Sequence, residues 1–80
     1  GIKAQITQVF ENLKAVVIAA GVDLNAVVKL TVYLTDIAYL QYVNEIMVNY
    51  FNNPYPARTS FVVVALPKAA MIEIDAIVVK

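Results

Sequence analysis

Pro56-Ala57-Arg58-Thr59-Ser60 runs straight into Phe61-Val62-Val63-Val64-Ala65-Leu66, and the reading of this stretch organises the rest of the chain. The apolar, β-branched run predicts a strand from Arg58 to Leu66. A proline-stiffened loop, Asn52-Asn53-Pro54-Tyr55-Pro56, precedes it, and Arg58 is the only arginine present. A strand holds the Arg58 backbone while its head sits near the element's end. That setting suits a fixed fork for a carboxylate. It equally suits an edge cation that snorkels to water or pairs with a local acid, and residue chemistry alone leaves both readings open.

Downstream, Pro67-Lys68-Ala69-Ala70 makes a short connection to a strand from Met71 to Val79. The two strands are therefore expected as an antiparallel hairpin, with Glu73 on the strand beside Arg58. Parity puts Arg58, Ser60, Val62 and Val64 on one face of their strand. It puts Glu73 and Asp75 on one face of theirs, with Met71, Ile77 and Val79. Two carboxylates among Ile, Ala and Val are costly if buried without partners. Either both face solvent or one lines a pocket, where burial raises its pKa and lets it handle protons. Spacing leaves both readings open for Glu73 and favours solvent for Asp75.

Upstream, Val27 to Thr35 alternates Val28, Leu30, Val32 and Leu34 against Lys29, Thr31, Tyr33 and Thr35, which predicts another strand. Thr35 or Asp36 caps a helix whose apolar stripe is Ile37, Leu40, Val43, Met47, Tyr50 and Phe51. Asn44 falls at the edge of that stripe, as a solvent-facing or capping amide. The helix closes at Asn52-Asn53-Pro54. The first helix is read from Ile2 to Ala20, with Ile2, Ile6, Val9, Phe10, Leu13, Val16, Val17 and Ala20 on its apolar side and Gly21 as its stop. Asp23 is a candidate cap for the turn that follows. The order is α-β-α-β-β, an α+β domain with two helices on one face of a mixed sheet. Its strand–helix–strand unit is a crossover between parallel strands.

Composition adds a constraint on assembly. The chain has 80 residues, 61% hydrophobic and only 15% charged, with a mean hydropathy of +0.72. A lone domain this small buries only about 60% of its unfolded surface and should be more polar. Charged residues interrupt every apolar run too often for a membrane span. An obligate oligomer is therefore expected. Net charge is zero and no basic run exists, which disfavours nucleic acid as a partner. Cysteine and histidine are both missing, which excludes disulfides, thiol nucleophiles, histidine bases and the common zinc sites. That usage fits a reducing compartment, and a cytoplasmic location is expected.

Taken together, several segments resemble the YjgF/RidA family across essentially the whole chain. They are Glu11-Asn12-Leu13-Lys14-Ala15-Val16, Val28 to Asp36, Val43-Asn44-Glu45, Pro56-Ala57-Arg58-Thr59-Ser60, Ala65-Leu66-Pro67-Lys68 and Ile72-Glu73-Ile74-Asp75-Ala76-Ile77. The resemblance implies a chorismate-mutase-like α+β fold, a homotrimer with a barrel-like core, and ligand clefts between subunits. It also implies hydrolysis of enamine/imine intermediates to 2-oxo acids and ammonia, without cofactor or metal. Carried over by position, Arg58 matches the arginine that clamps the substrate carboxylate, and Glu73 the acid that positions water. Asn44 matches a recurrent asparagine near the cleft. Ser60 stands where many members have cysteine, so no thiol role is available there.

The family's strands ahead of its first helix, which carry a tyrosine and a serine-glycine segment, have no counterpart in Gly1 to Lys80. A single domain over residues 1–80, lacking those strands, is the expectation. Three other roles stay open: a non-catalytic 2-oxo acid binding or regulatory trimer, an endoribonuclease or translation inhibitor, and a structural or chaperone-like trimer.

Overall fold

The computed structural model describes residues 1–80. It contains helix α1 (Ile2–Ala19), strand β1 (Val27–Leu34), helix α2 (Leu40–Met47), and strands β2 (Ala57–Val62) and β3 (Ile72–Val78). Short 3₁₀ turns at Leu24–Ala26, Ile37–Tyr39 and Pro67–Ala69 link them.

α1 ends as its sequence dictates. Gly21 has φ of 87°, and its N–H donates to the Ile18 carbonyl at 3.0 Å while Val22 N–H donates to that of Val17 at 3.1 Å. This is a Schellman closure, in which glycine takes the left-handed position without a Cβ penalty. Asp23 caps the next turn by accepting the Asn25 N–H at 2.8 Å. Asp36 does the same for Ala38 N–H at 2.8 Å, so it caps the 3₁₀ turn that leads into α2.

The sheet order is β2-β1-β3. β1 pairs with β2 in parallel, as expected for the two strands joined through α2. The expected β2–β3 hairpin is not formed, because β3 pairs antiparallel with β1 on its other side. β2 and β3 do run in opposite directions, but β1 lies between them. The link from Val63 to Met71 spans two strand spacings, roughly 10 Å, over the end of β1. Its turn holds Lys68 and Ala69 at positive φ, 58° and 55°. Val63 N–H donates to the Leu34 carbonyl at 2.8 Å, and Thr35 N–H to that of Met71 at 3.2 Å, which pins the link at both ends. Gln5 of α1 accepts the Met71 N–H at 3.0 Å.

Both helices pack on the sheet face that carries Leu30, Val32 and Leu34. Ile6, Phe10 and Val17 from α1 meet Val43, Ile46 and Met47 from α2, with Val27, Phe51 and Ile72 completing the core. Phe10 is fully enclosed, stacked on Tyr50 at 5.2 Å and edge-on to Phe51 at 6.1 Å.

Several sequence expectations are corrected here. Val28 is exposed and Val27 buried, because a bulge between Val27 and Lys29 reverses the alternation at the start of β1. α2 stops at Met47, before the asparagine pair. Ile46 belongs to its buried side, while Ile37 lies outside it and is exposed. β2 ends at Val62, so Val64 and Leu66 are not strand residues.

One copy leaves much apolar surface open. Only 12 of 80 residues are buried, against a sequence that is 61% hydrophobic. The sheet face turned away from the helices carries Tyr33, Phe61 and Ile77, with Tyr33 stacked on Phe61 at 6.0 Å. No helix is long and apolar enough to cross a membrane.

Tyr50, in the turn after α2, also ties that turn to α1 through its hydroxyl, which donates to Glu11 Oε2 at 2.6 Å. That hydrogen bond first, then lost hydration and the Glu11 charge, push the Tyr50 pKa up to about 12. The raised folded value makes this contribution complete below the ordinary value of about 10. It is lost as pH climbs from there through about 12. Tyr50→Phe is therefore expected to lower stability by about 0.5–1 kcal/mol at neutral pH. Urea denaturation of both proteins at stepped pH should show that deficit shrinking above pH of about 10.

Candidate active site

Arg58 enters the site from the start of β2. In the register it lies beside Leu30 of β1, so its side chain rises on the helix face of the sheet. There Arg58 Nη1 donates to Asn44 Oδ1 on α2 and lies 3.8 Å from Met47 Sδ. Neither partner carries a charge. The one ion pair of the chain is Lys3–Glu45 at 3.7 Å, on the surface. The half-buried guanidinium is thus held in place by neutral groups and has no counter-ion within the chain.

A cavity of about 390 Å³ opens in front of it, lined by Asn44, Met47, Val48, Tyr55, Pro56 and Arg58. Its walls are mostly apolar, and the bonded pair Arg58 and Asn44 supplies polar groups. This is the usual composition of a small-molecule site. The chemistry available there is binding of an anion, because a positioned fork without a carboxylate partner offers two parallel donors to one.

The four residues singled out from sequence fare differently. Arg58 and Asn44 are brought into direct contact. Ser60 follows on the same face of β2, beside Val32. Its Oγ is buried without a hydrogen-bond partner, although Ser60 does not line the cavity. Glu73 is elsewhere. It lies beside Tyr33 on β3, on the sheet face away from the helices, and is exposed. The expected neighbouring of the Arg58 and Glu73 strands is corrected by the sheet order: β1 separates them, and the two side chains leave opposite faces. Asp75 shares the Glu73 face and is also exposed. Lost hydration, then the Asp75 carboxylate, then Glu73 raise the pKa of Tyr33 between them. Met47, Val48 and Tyr55 were not read as site residues. Helical periodicity accounts for Met47 as core, and nothing in the spacing brings Tyr55 to Arg58.

The Endoribonuclease L-PSP family profile matches residues 1–80. The chain belongs to the YjgF/RidA family. RidA from an Antarctic Psychrobacter superposes on it with a TM-score of 0.95 at 50% identity, over 98% of this chain and 63% of that one. Escherichia coli TdcF, crystallised with bound serine, gives a TM-score of 0.93 at 35% identity, over 100% and 65%. Human 2-iminobutanoate/2-iminopropanoate deaminase is 41% identical over 80 residues, covering 100% of this chain and 58% of the human protein. These superpositions establish the α+β chorismate-mutase-like fold for this chain. The chain spans under two thirds of the length of each of these relatives.

Proposed function

We propose that this RidA-family chain contributes to a hydrolase that converts 2-imino acids, the reactive products of amino-acid breakdown, to 2-oxo acids and ammonia. The observation that carries the proposal is Arg58: a positioned, half-buried guanidinium with no internal counter-ion, facing a cavity of ligand size. The names borne by relatives, a 2-iminobutanoate/2-iminopropanoate deaminase and a serine-bound TdcF, fit a small carboxylate-bearing substrate.

In this reading Arg58 grips the substrate carboxylate through two parallel N–H donors. Asn44 keeps the fork from swinging, which fixes where the imine carbon lies. Water aligned by Glu73 adds to that carbon, giving a carbinolamine. The carbinolamine hydroxyl proton passes to the nitrogen as the C–N bond breaks, so ammonia leaves and the carbonyl of the 2-oxo acid remains. Ser60, enclosed on the same strand face and outside the cavity, is given no contact with the substrate in this reading.

Arg58 and Glu73 lie on opposite faces of one sheet, so a single copy does not present both to one substrate. We therefore place the complete site between copies, with Arg58 from one and Glu73 from another. A homotrimer of the family type would also cover the apolar surface around Phe61 and Ile77, which one copy leaves open.

The test is a coupled assay on freshly generated 2-imino acid. Glu73→Gln keeps the shape of the side chain but loses its charge, and is expected to slow hydrolysis about 100-fold. Binding of the product 2-oxo acid should change little. An unaltered rate would remove Glu73 from the mechanism. An RNA-cleaving role has the family description behind it. The zero net charge supplies no electrostatic track for a phosphate backbone. RNA affinity that falls steeply with salt would reverse that judgement.

A further inference from the structure

We propose that Met47 is a site of reversible oxidation that governs the anion site. Hydrogen peroxide entering the cavity converts its thioether to the sulfoxide, whose oxygen then takes the Arg58 donors that a carboxylate would use. This rests on the preceding reading only for Arg58 as the carboxylate-binding group.

The sequence narrows the oxidisable sulfur to two atoms, because the chain has two methionines and no cysteine. Met71 lines none of the three cavities. Met47 lines the one in front of Arg58, which at about 390 Å³ readily admits a peroxide molecule. Its Sδ lies 3.8 Å from Arg58 Nη1, and the residue is otherwise packed in the core at 6% exposure. The step balances without a further reactant. Sδ gives an electron pair to one peroxide oxygen, the O–O bond breaks, and the departing hydroxide takes the proton from the oxygen left on sulfur. Met47 is oxidised by two electrons and peroxide is reduced to water. The guanidinium beside Sδ offers a hydrogen bond to the departing oxygen, where negative charge develops.

Geometry then decides what the new oxygen does. A sulfoxide oxygen is a polar acceptor, and burying it without a donor is costly. The donor held against Sδ is Arg58. Asn44 and Met47 stand three residues apart on α2, on one face of the helix. Asn44 already accepts from Nη1. With the sulfoxide formed, both residues hold the guanidinium to the helix, and a ligand carboxylate loses a donor. The Sδ–Nη1 contact lies within one copy, so it does not depend on how a second copy, bringing Glu73, closes the cleft. An ionised carboxylate there has no donor to offer the sulfoxide.

The experiment treats the full-length protein, and its Met71→Leu variant, with graded hydrogen peroxide. Peptide mass spectrometry maps the added oxygen, and calorimetry measures 2-oxobutanoate binding. In Met71→Leu, oxidation is expected at Met47, with Kd raised about tenfold and the fraction of competent sites unchanged. A general loss of folding would lower that fraction instead. Saturating 2-oxobutanoate should slow the oxidation, since it fills the cavity. Methionine sulfoxide reductase with a thiol should return the untreated Kd. Met47→Leu should give one Kd before and after peroxide. Met47→Gln, which places a carbonyl oxygen there permanently, should show the raised Kd untreated. If oxidation weakens 2-oxobutanoate binding but the untreated protein turns over no imine, the deaminase reading fails and the switch stands. Met47 still reduced at a dose that oxidises most of Met71, or an unchanged Kd with Met47 fully oxidised, overturns the switch even in a protein that hydrolyses imines. An untreated protein that does not bind 2-oxobutanoate overturns both.

Discussion

Replacing Arg58 with alanine is expected to weaken 2-oxobutanoate binding by about 2–3 kcal/mol, roughly 30- to 150-fold. The reasoning starts from what the side chain touches. Its contacts are one amide oxygen and one thioether sulfur, at Asn44 and Met47. Removing it breaks no ion pair, because Arg58 has none within the chain. The fold should therefore tolerate the change, with a thermal midpoint within a few degrees of the parent. Binding should not tolerate it, since the ligand carboxylate would enter an apolar cavity with no cation to meet it. Arg58→Lys sharpens the test. Lysine keeps the charge but loses the planar fork, and its three donors cannot reproduce two parallel contacts. It should recover only a minor part of the lost affinity. Full recovery with lysine would show that charge alone is read, and that the Asn44-held geometry plays no part. Isothermal calorimetry on the three proteins gives both answers.

The second large effect concerns the core. Phe10→Ala is expected to cost about 3–5 kcal/mol. Phe10 is wholly enclosed, and its ring joins Tyr50 and Phe51, so it ties α1 to the segment after α2. A small domain has about 5–15 kcal/mol in total, so the variant should approach the unfolding threshold. Its thermal midpoint should drop by more than roughly 12 °C. A loss below about 0.5 kcal/mol, the range of a surface change, would mean that α1 and the segment after α2 do not meet where described.

How far the residues alone disclose this molecule differs from element to element. α1 was legible to within a residue, because a long helical period ends on a glycine that closes it. β1 and its parallel pairing with β2 were legible too, although β2 ends at Val62 and not at Leu66. Val28 was not, because a bulge is set by pairing with Val78 and Ile77, and no local pattern records it. The position of β3 was misread for a related reason. A short link with Pro67 looks like a hairpin, but strand adjacency is a long-range matter. β1, buried on the helix face at Leu30, Val32 and Leu34, is the strand that takes partners on both edges.

The site shows the same division. A lone arginine after a stiff loop is visible in one dimension, and its meeting with Asn44 came only from the family pattern. Parity fixed the faces of Arg58 and of Glu73 within their own strands. It could not relate those faces to each other until the register through Leu30 and Tyr33 was known. Tyr55 had no periodicity to report it, because a loop delivers it to the cavity.

The central claim is that Arg58 of one copy and Glu73 of another serve the same substrate. Co-expressing full-length Arg58→Ala and Glu73→Ala chains, each inactive alone, tests it most directly. Sites that take Arg58 from one chain and Glu73 from the other should restore roughly a quarter of parental activity at equal mixing in a symmetric ring. Mixed assemblies, verified by native mass spectrometry, that remain as inactive as either parent would contradict it.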